Sequence, residues 1–151
     1  MHEVELGVIM NGKSASEVAH WEERIAAYCL LLDMTNMTQM KEARAKGTPW
    51  FIGKVQHGFL VLGDLIPKHI IEDPHNMLLE LKKNGEVAMG DLTGNMHFKI
   101  NEQIDYIESK GSALKEGDLI LSGCPEGIAP VAEGDLLEAS LKCPTSGKTV
   151  S

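Results

Sequence analysis

The chain has 151 residues, 43% apolar and 24% charged, and its 22 Asp and Glu outnumber its 14 Lys and Arg. That length supports one domain with its own core, since a chain of this size buries about 70% of its unfolded surface. A net charge of −8, with the acids spread along the chain, disfavours a nucleic-acid partner, which needs a basic patch against phosphate. No apolar run approaches the roughly 20 residues of a membrane span, and acidic residues stand where a signal peptide would be basic. Cys29, Cys124 and Cys143 are odd in number and have no CxxC spacing. They read as free thiols of a reducing compartment, mitochondrial or cytoplasmic, or as buried residues. The six histidines show no HxxxH or HExxH spacing, so a histidine zinc site is unsupported.

Taken in order, residues 2–10 alternate with period two, with Val4, Leu6, Val8 and Met10 on one face of a strand and Glu3 and Glu5 on the other. Asn11-Gly12 marks a turn. Ser14 and Glu17 resemble a capping box and predict a helix carrying Val18, Trp21 and Ile25. Ala26–Leu32 suits a buried strand, stopping at Asp33. A second helix carries Met37, Met40 and Ala43 and ends at Gly47 and Pro49. Strand-like segments are expected around Trp50–Lys54 and Phe59–Leu62, then a Pro-containing connection over Ile70–His75. Met77–Lys83, the turn Asn84-Gly85 and Glu86–Met89 predict a hairpin. Ile100–Ser109 reads as a helix with Ile104 and Ile107 inward. Glu116-Gly117-Asp118-Leu119 and Glu133-Gly134-Asp135-Leu136 introduce two further strands around a Gly/Pro loop, 122–130. Residues 142–151 form a polar tail expected to fray. The pattern gives one β-rich α+β domain, residues 1–141.

Two carboxylates side by side on a strand repel, so their site must raise a pKa, stay wet or hold a cation. A solvated acidic edge is the plain alternative. Asp33, at a strand end where a helix begins, reads either as an N-cap or as a third hard oxygen ligand. Lys54 reads as a surface lysine or as a cation that stabilises charge developing on an oxygen. The Met34, Met37 and Met40 series reads as packing. The Gly123–Pro130 loop either holds a ligand by its backbone or simply connects two strands.

Together these segments resemble the fumarylacetoacetate hydrolase family, and within it the short acylpyruvase/oxaloacetate decarboxylase type. The matching residues are His2-Glu3-Val4-Glu5-Leu6-Gly7-Val8, Leu32-Asp33-Met34-Thr35, Lys46-Gly47-Thr48-Pro49-Trp50 with Lys54, and Ile66-Pro67-Lys68. Further on come Asp73-Pro74-His75, Asn84-Gly85-Glu86, Gly117–Gly123 and Gly134-Asp135, so the likeness runs from His2 to about Leu141. The resemblance implies a mixed β-sandwich roll with a few flanking helices, Glu3, Glu5 and Asp33 as ligands of Mg²⁺ or Mn²⁺, and catalysis by Lys54. It also implies substrate binding at Gly123 and Cys124, a small 2-keto acid or acylpyruvate substrate that the ion holds and polarises, and a homodimer or a place in a larger assembly.

Three departures from the family pattern stand out. Members of this type have an N-terminal region with a His–Glu pair on a lid that activates water, whereas this sequence opens at the metal strand. Met37 and Met40 stand where an Arg and a Gln usually grip the substrate, and Gln39 is displaced by about 100° around the helix. Cys124 stands where the family has Thr, a better hydrogen-bond partner. Two readings follow. One is a metal-dependent enzyme that cleaves a C–C bond, better at decarboxylation than at hydrolysis. The other is a catalytically impaired paralogue or truncated product serving as an assembly subunit.

Overall fold

The alternation of the opening segment gives a ten-residue strand, β1 (His2–Asn11), whose Val4, Leu6, Val8 and Met10 are at most 1% exposed. The computed structural model describes all 151 residues. After β1 come β2 (Ile25–Met34), α1 (Met37–Ala45), β3 (Leu60–Pro67), β4 (Leu78–Lys83), β5 (Glu86–Leu92), α2 (Ile100–Ser109), β6 (Glu116–Leu121), β7 (Leu137–Lys142) and β8 (Thr149–Val150). The strands make two four-stranded antiparallel sheets, ordered β3-β2-β1-β6 and β5-β4-β7-β8. This is the expected β-rich α+β architecture.

The core lies between the sheets. Leu6, Val8, Tyr28 and Leu30 of one sheet pack with Leu79, Leu81 and Leu141 of the other, and Ile100 and Ile104 of α2 join the same cluster. Burying side chains of this size contributes roughly 1.5–3 kcal/mol each, which is what fixes the strand register. The Asn84-Gly85 turn closes the β4–β5 hairpin as its sequence predicts, with φ of 54° and 85° at the two positions.

Three expected elements differ. Residues 14–25 do not form a helix but two short 3₁₀ turns, Ala15–Glu17 and Trp21–Arg24, and Ile25 already begins β2. The capping acid is used, since the Ser14 amide donates to Glu17 Oε2 at 2.8 Å, but the helix it would start is overridden by tertiary bonds. Arg24 is only 2% exposed, donating to Lys13 O at 2.8 Å and to both oxygens of Glu108 on α2, and that anchor stops a helix from continuing. Trp50–Gly53 is a 3₁₀ turn rather than a strand, and its Trp50, Phe51 and Ile52 are about half exposed. The tail does not simply fray: it turns at Cys143–Lys148 and adds β8 to β7.

Helix α2 has an acceptor at its start that comes from outside the helix. The Ile100 amide donates to His75 Nε2 at 3.0 Å, so the imidazole must be neutral to cap it. Burial pushes the His75 pKa down and the Lys99 charge adds to this, while Asp73, Glu22 and Glu102 oppose. A group that holds its proton less tightly when folded contributes stability above its ordinary range and loses it as pH falls. His75→Ala should cost about 1 kcal/mol in urea unfolding at pH 7. Because only the neutral ring caps the helix, that cost should shrink at pH 5.5, and the difference between wild type and variant at the two pH values is the check.

Candidate metal and substrate site

The β1–β2 register sets Glu3 directly opposite Asp33 and Glu5 opposite Leu31, on the sheet face turned away from the core. Opposed residues in antiparallel strands have Cβ atoms about 4.5–5.5 Å apart, so two ionised carboxylates there demand a cation. Lys54 supplies one. Its ammonium donates to Asp33 Oδ2 at 2.5 Å and also to Glu3 Oε2. The three side chains keep only 24%, 19% and 19% of their surface exposed, for Lys54, Glu3 and Asp33. Burial alone would lower the Lys54 pKa, but its bonds to Asp33 and Glu3 outweigh that and hold it above the usual value.

Lys54 reaches this position because the chain doubles back after α1. Asn36, not Asp33, caps that helix, its Oδ1 accepting from the Gln39 amide at 3.1 Å. After Gly47 and Pro49 the 3₁₀ turn presses against the same helix start, where the Asn36 amide donates to Gly53 O at 2.8 Å. A Cβ at Gly53 would lie 2.9 Å from both Asn36 O and Met40 Cβ, so only glycine permits the approach that delivers Lys54 beside Asp33.

Glu5 is held differently. It is 4% exposed, and the Gly123 amide donates to its Oε2 at 2.8 Å. Burial pushes its pKa up to about 7; the Gly123 bond opposes that, and the charges of Asp33 and Glu3 add to it. Gly123 sits at φ 90°, a backbone state that a side chain would strain, and this conformation turns its N–H toward the carboxylate. Beside it the Cys124 thiol donates to Gly127 O at 3.0 Å, and burial raises its pKa. Gly123 and Cys124 also form one end of a groove of about 1040 Å³ between α2 and β6, lined further by Phe98, Tyr106, Leu119 and Leu121.

The structure thus brings Glu3, Asp33 and Lys54 into one ion-paired array and sets Glu5, Gly123 and Cys124 together beside it. It does not close three carboxylates on a single point. By chemistry the donors fit a hard divalent ion, since they are all carboxylate oxygens and Glu3 and Asp33 already share a cation, the ammonium. Near them are two further buried polar atoms with no hydrogen-bond partner, Thr35 Oγ1 two residues after Asp33 and Ser122 Oγ next to Gly123. Met40 packs under Gly53, and Gln39 Oε1 accepts from Gln56 Nε2. Neither of these makes a clamp beside the carboxylates.

Residues 1–151 match the family described as fumarylacetoacetate hydrolase C-terminal. The chain belongs to the fumarylacetoacetate hydrolase family. Among its relatives is the mitochondrial oxaloacetate tautomerase of Schizosaccharomyces pombe, 42% identical over 93% of this chain and 65% of the relative. The mitochondrial oxaloacetate tautomerase of Mus musculus is 41% identical over 93% of this chain and 63% of its own length. The chain therefore spans a little under two thirds of these relatives. A Yersinia pestis protein of the family superposes with a TM-score of 0.81 at 32% identity, covering 99% of this chain and 69% of the other. The fumarylpyruvate hydrolase of Pseudomonas aeruginosa, solved with Mn²⁺ and pyruvate, superposes at 0.76 with 26% identity, covering 93% and 60%. That family member thus binds a divalent metal ion.

The glycine contact gives a direct check on how the family fold places its lysine here. Gly53→Ala should cost about 1–3 kcal/mol in urea denaturation, because backbone as well as side chain must yield. In the same variant the Lys54 side chain should lose its ordered contact with Asp33, seen as loss of its slow-exchanging ammonium signal by NMR.

Proposed function

We propose that this chain is the metal-binding core of an enzyme acting on small 2-keto dicarboxylates or acylpyruvates through an enolate. The observation that carries the reading is the Glu3–Lys54–Asp33 array on the open face of the sheet, with Glu5 buried next to it. Glu3, Glu5 and Asp33 would hold Mg²⁺ or Mn²⁺. When bound, such an ion orients a 2-keto acid and draws electron density from its carbonyl.

This chain's own residues do the rest. Lys54, beside Glu3 and Asp33, would present its ammonium to the substrate and stabilise negative charge developing on the enolate oxygen. The Gly123 amide fixes the Glu5 carboxylate, so the donor does not wander. The Gly123–Cys124 turn contacts the substrate and leads into the apolar groove. Breaking the C3–C4 bond, one carbon removed from the 2-keto group, would leave the enolate of pyruvate, which then takes up a proton: oxaloacetate loses CO₂, and an acylpyruvate loses an acid once water has added to its C4 carbonyl. The relatives named oxaloacetate tautomerases support oxaloacetate as the substrate class, and its keto–enol exchange likewise develops enolate charge on the 2-oxygen. Their mitochondrial names, with three free cysteines here, support a mitochondrial reading. The exposed edge strand β3, with Leu60, Leu62 and Leu65 from 44% to 68% exposed, supports a homodimer or a larger assembly.

Calorimetric titration with Mn²⁺ tests the ligand set: wild type should bind one ion, and Asp33→Asn should weaken it by at least about tenfold. An unchanged Kd in that variant would overturn the assignment. Side-by-side assays test the chemistry. A water-activating base is worth roughly 10²–10⁴ in rate, so turnover of oxaloacetate should exceed hydrolysis of acetylpyruvate by a factor in that range. Metal binding with no turnover of either substrate would favour the assembly-subunit reading, to which Met37 and Met40 at the usual clamp positions point.

A further inference from the structure

We infer that Gln103 on α2 is a positioning residue for the carboxylate site, acting through a single peptide group. The Gln103 side-chain amide donates from Nε2 to Ser122 O at 2.8 Å and to Phe98 O at 3.0 Å. Both partners are carbonyl oxygens, so the amide orientation is fixed: only its NH₂ end serves there. Ser122 C=O belongs to the same planar unit as Gly123 N–H, and that N–H donates to Glu5 Oε2 at 2.8 Å. One peptide plane is thus gripped at both ends, by Gln103 on its oxygen and by Glu5 on its nitrogen.

The grip matters because this plane is free to turn. Gly123 at φ 90° has no side chain to hinder rotation, and a Cβ there would meet nothing within 4 Å. Turned over, the same peptide would aim a carbonyl oxygen at a buried carboxylate, exchanging an attraction for a repulsion. Hydrogen bonds in series polarise one another, so Gln103 on the oxygen also makes the N–H a better donor to Glu5. Next door, Ser122 Oγ is buried with no partner and offers nothing to hold the plane. Gln103 reaches across from a separate helix; with Arg24–Glu108 it ties α2 to residues that flank the strands of the carboxylate sheet, Ser122 just after β6 and Arg24 just before β2.

The inference rests on the metal-site reading for its consequence but not for its geometry, and the test separates the two. In the metal-free chain, the Gly123 amide proton of Gln103→Leu should move upfield in the ¹H–¹⁵N spectrum as its bond to Glu5 weakens. Gln103→Lys, which keeps a donor, should leave it close to wild type. With Mn²⁺ alone as the probe, free ion counted by electron paramagnetic resonance should show about tenfold weaker binding in Gln103→Leu and near wild-type binding in Gln103→Lys. The thermal midpoint should fall by no more than about 4 °C in either variant. An unmoved Gly123 amide in Gln103→Leu, or equal shifts in the two variants, would overturn the positioning role whatever the ion does. A wild-type chain that fails to bind Mn²⁺ would overturn the metal reading alone, and the amide shift would then decide the role of Gln103.

Discussion

Two carboxylates forced opposite each other on adjacent strands cannot both stay ionised in a half-buried place without a positive neighbour. That constraint organises this molecule. The β1–β2 register that seals the core on one face sets Glu3 against Asp33 on the other, and it cannot slip by one residue without turning the core outward. Neutralising the pair requires a cation on a separate segment, and this explains why α1, the turn at Gly47 and the close approach at Gly53 deliver Lys54 to that spot. The ammonium orients both acids through its hydrogen bonds, and a hard metal ion also needs its oxygen ligands held in place.

Much of this was legible in the sequence, for identifiable reasons. Strict alternation over β1, the Asn84-Gly85 turn and the spacing of Ile100 and Ile104 are local signals backed by burial, and each gave the right element. Glu3, Asp33 and Lys54 were legible as chemistry, though not that the lysine would stand between the acids. The misread segments share one cause. Around Ser14–Glu17 a true local cap was outvoted by Arg24 reaching Glu108, 84 residues away. At Trp50–Gly53 an apolar run that looks like a strand is bent by its need to meet Asn36. The contacts of Gln103 and His75 left no trace in the sequence, although His75 stands in a matching segment, because their partners are backbone atoms and any residue supplies a backbone atom.

The family comparison and the geometry constrain each other. Membership accounts for the two-sheet roll and for the carboxylate-bearing strand pair. At the positions where the resemblance implies departures, methionines follow Asp33 on the helix, and the thiol beside Gly123 donates its proton to Gly127 O. A thiol bound to its own loop has less to offer a substrate oxygen than a hydroxyl would.

One further consequence follows from where β1 lies. It is paired with β2 along nearly its whole length, with β6 from Gly7 to Asn11, and His2 is bridged to Ala129. The half of β1 beyond Gly7, held on both sides, surrenders its amide protons to deuterated solvent only when the whole sheet comes apart. Glu3 and Glu5 stand between that half and the Ala129 bridge, on a strand tied at both of its ends. Lys54 rides on a short turn whose tie to the sheet is its own ammonium.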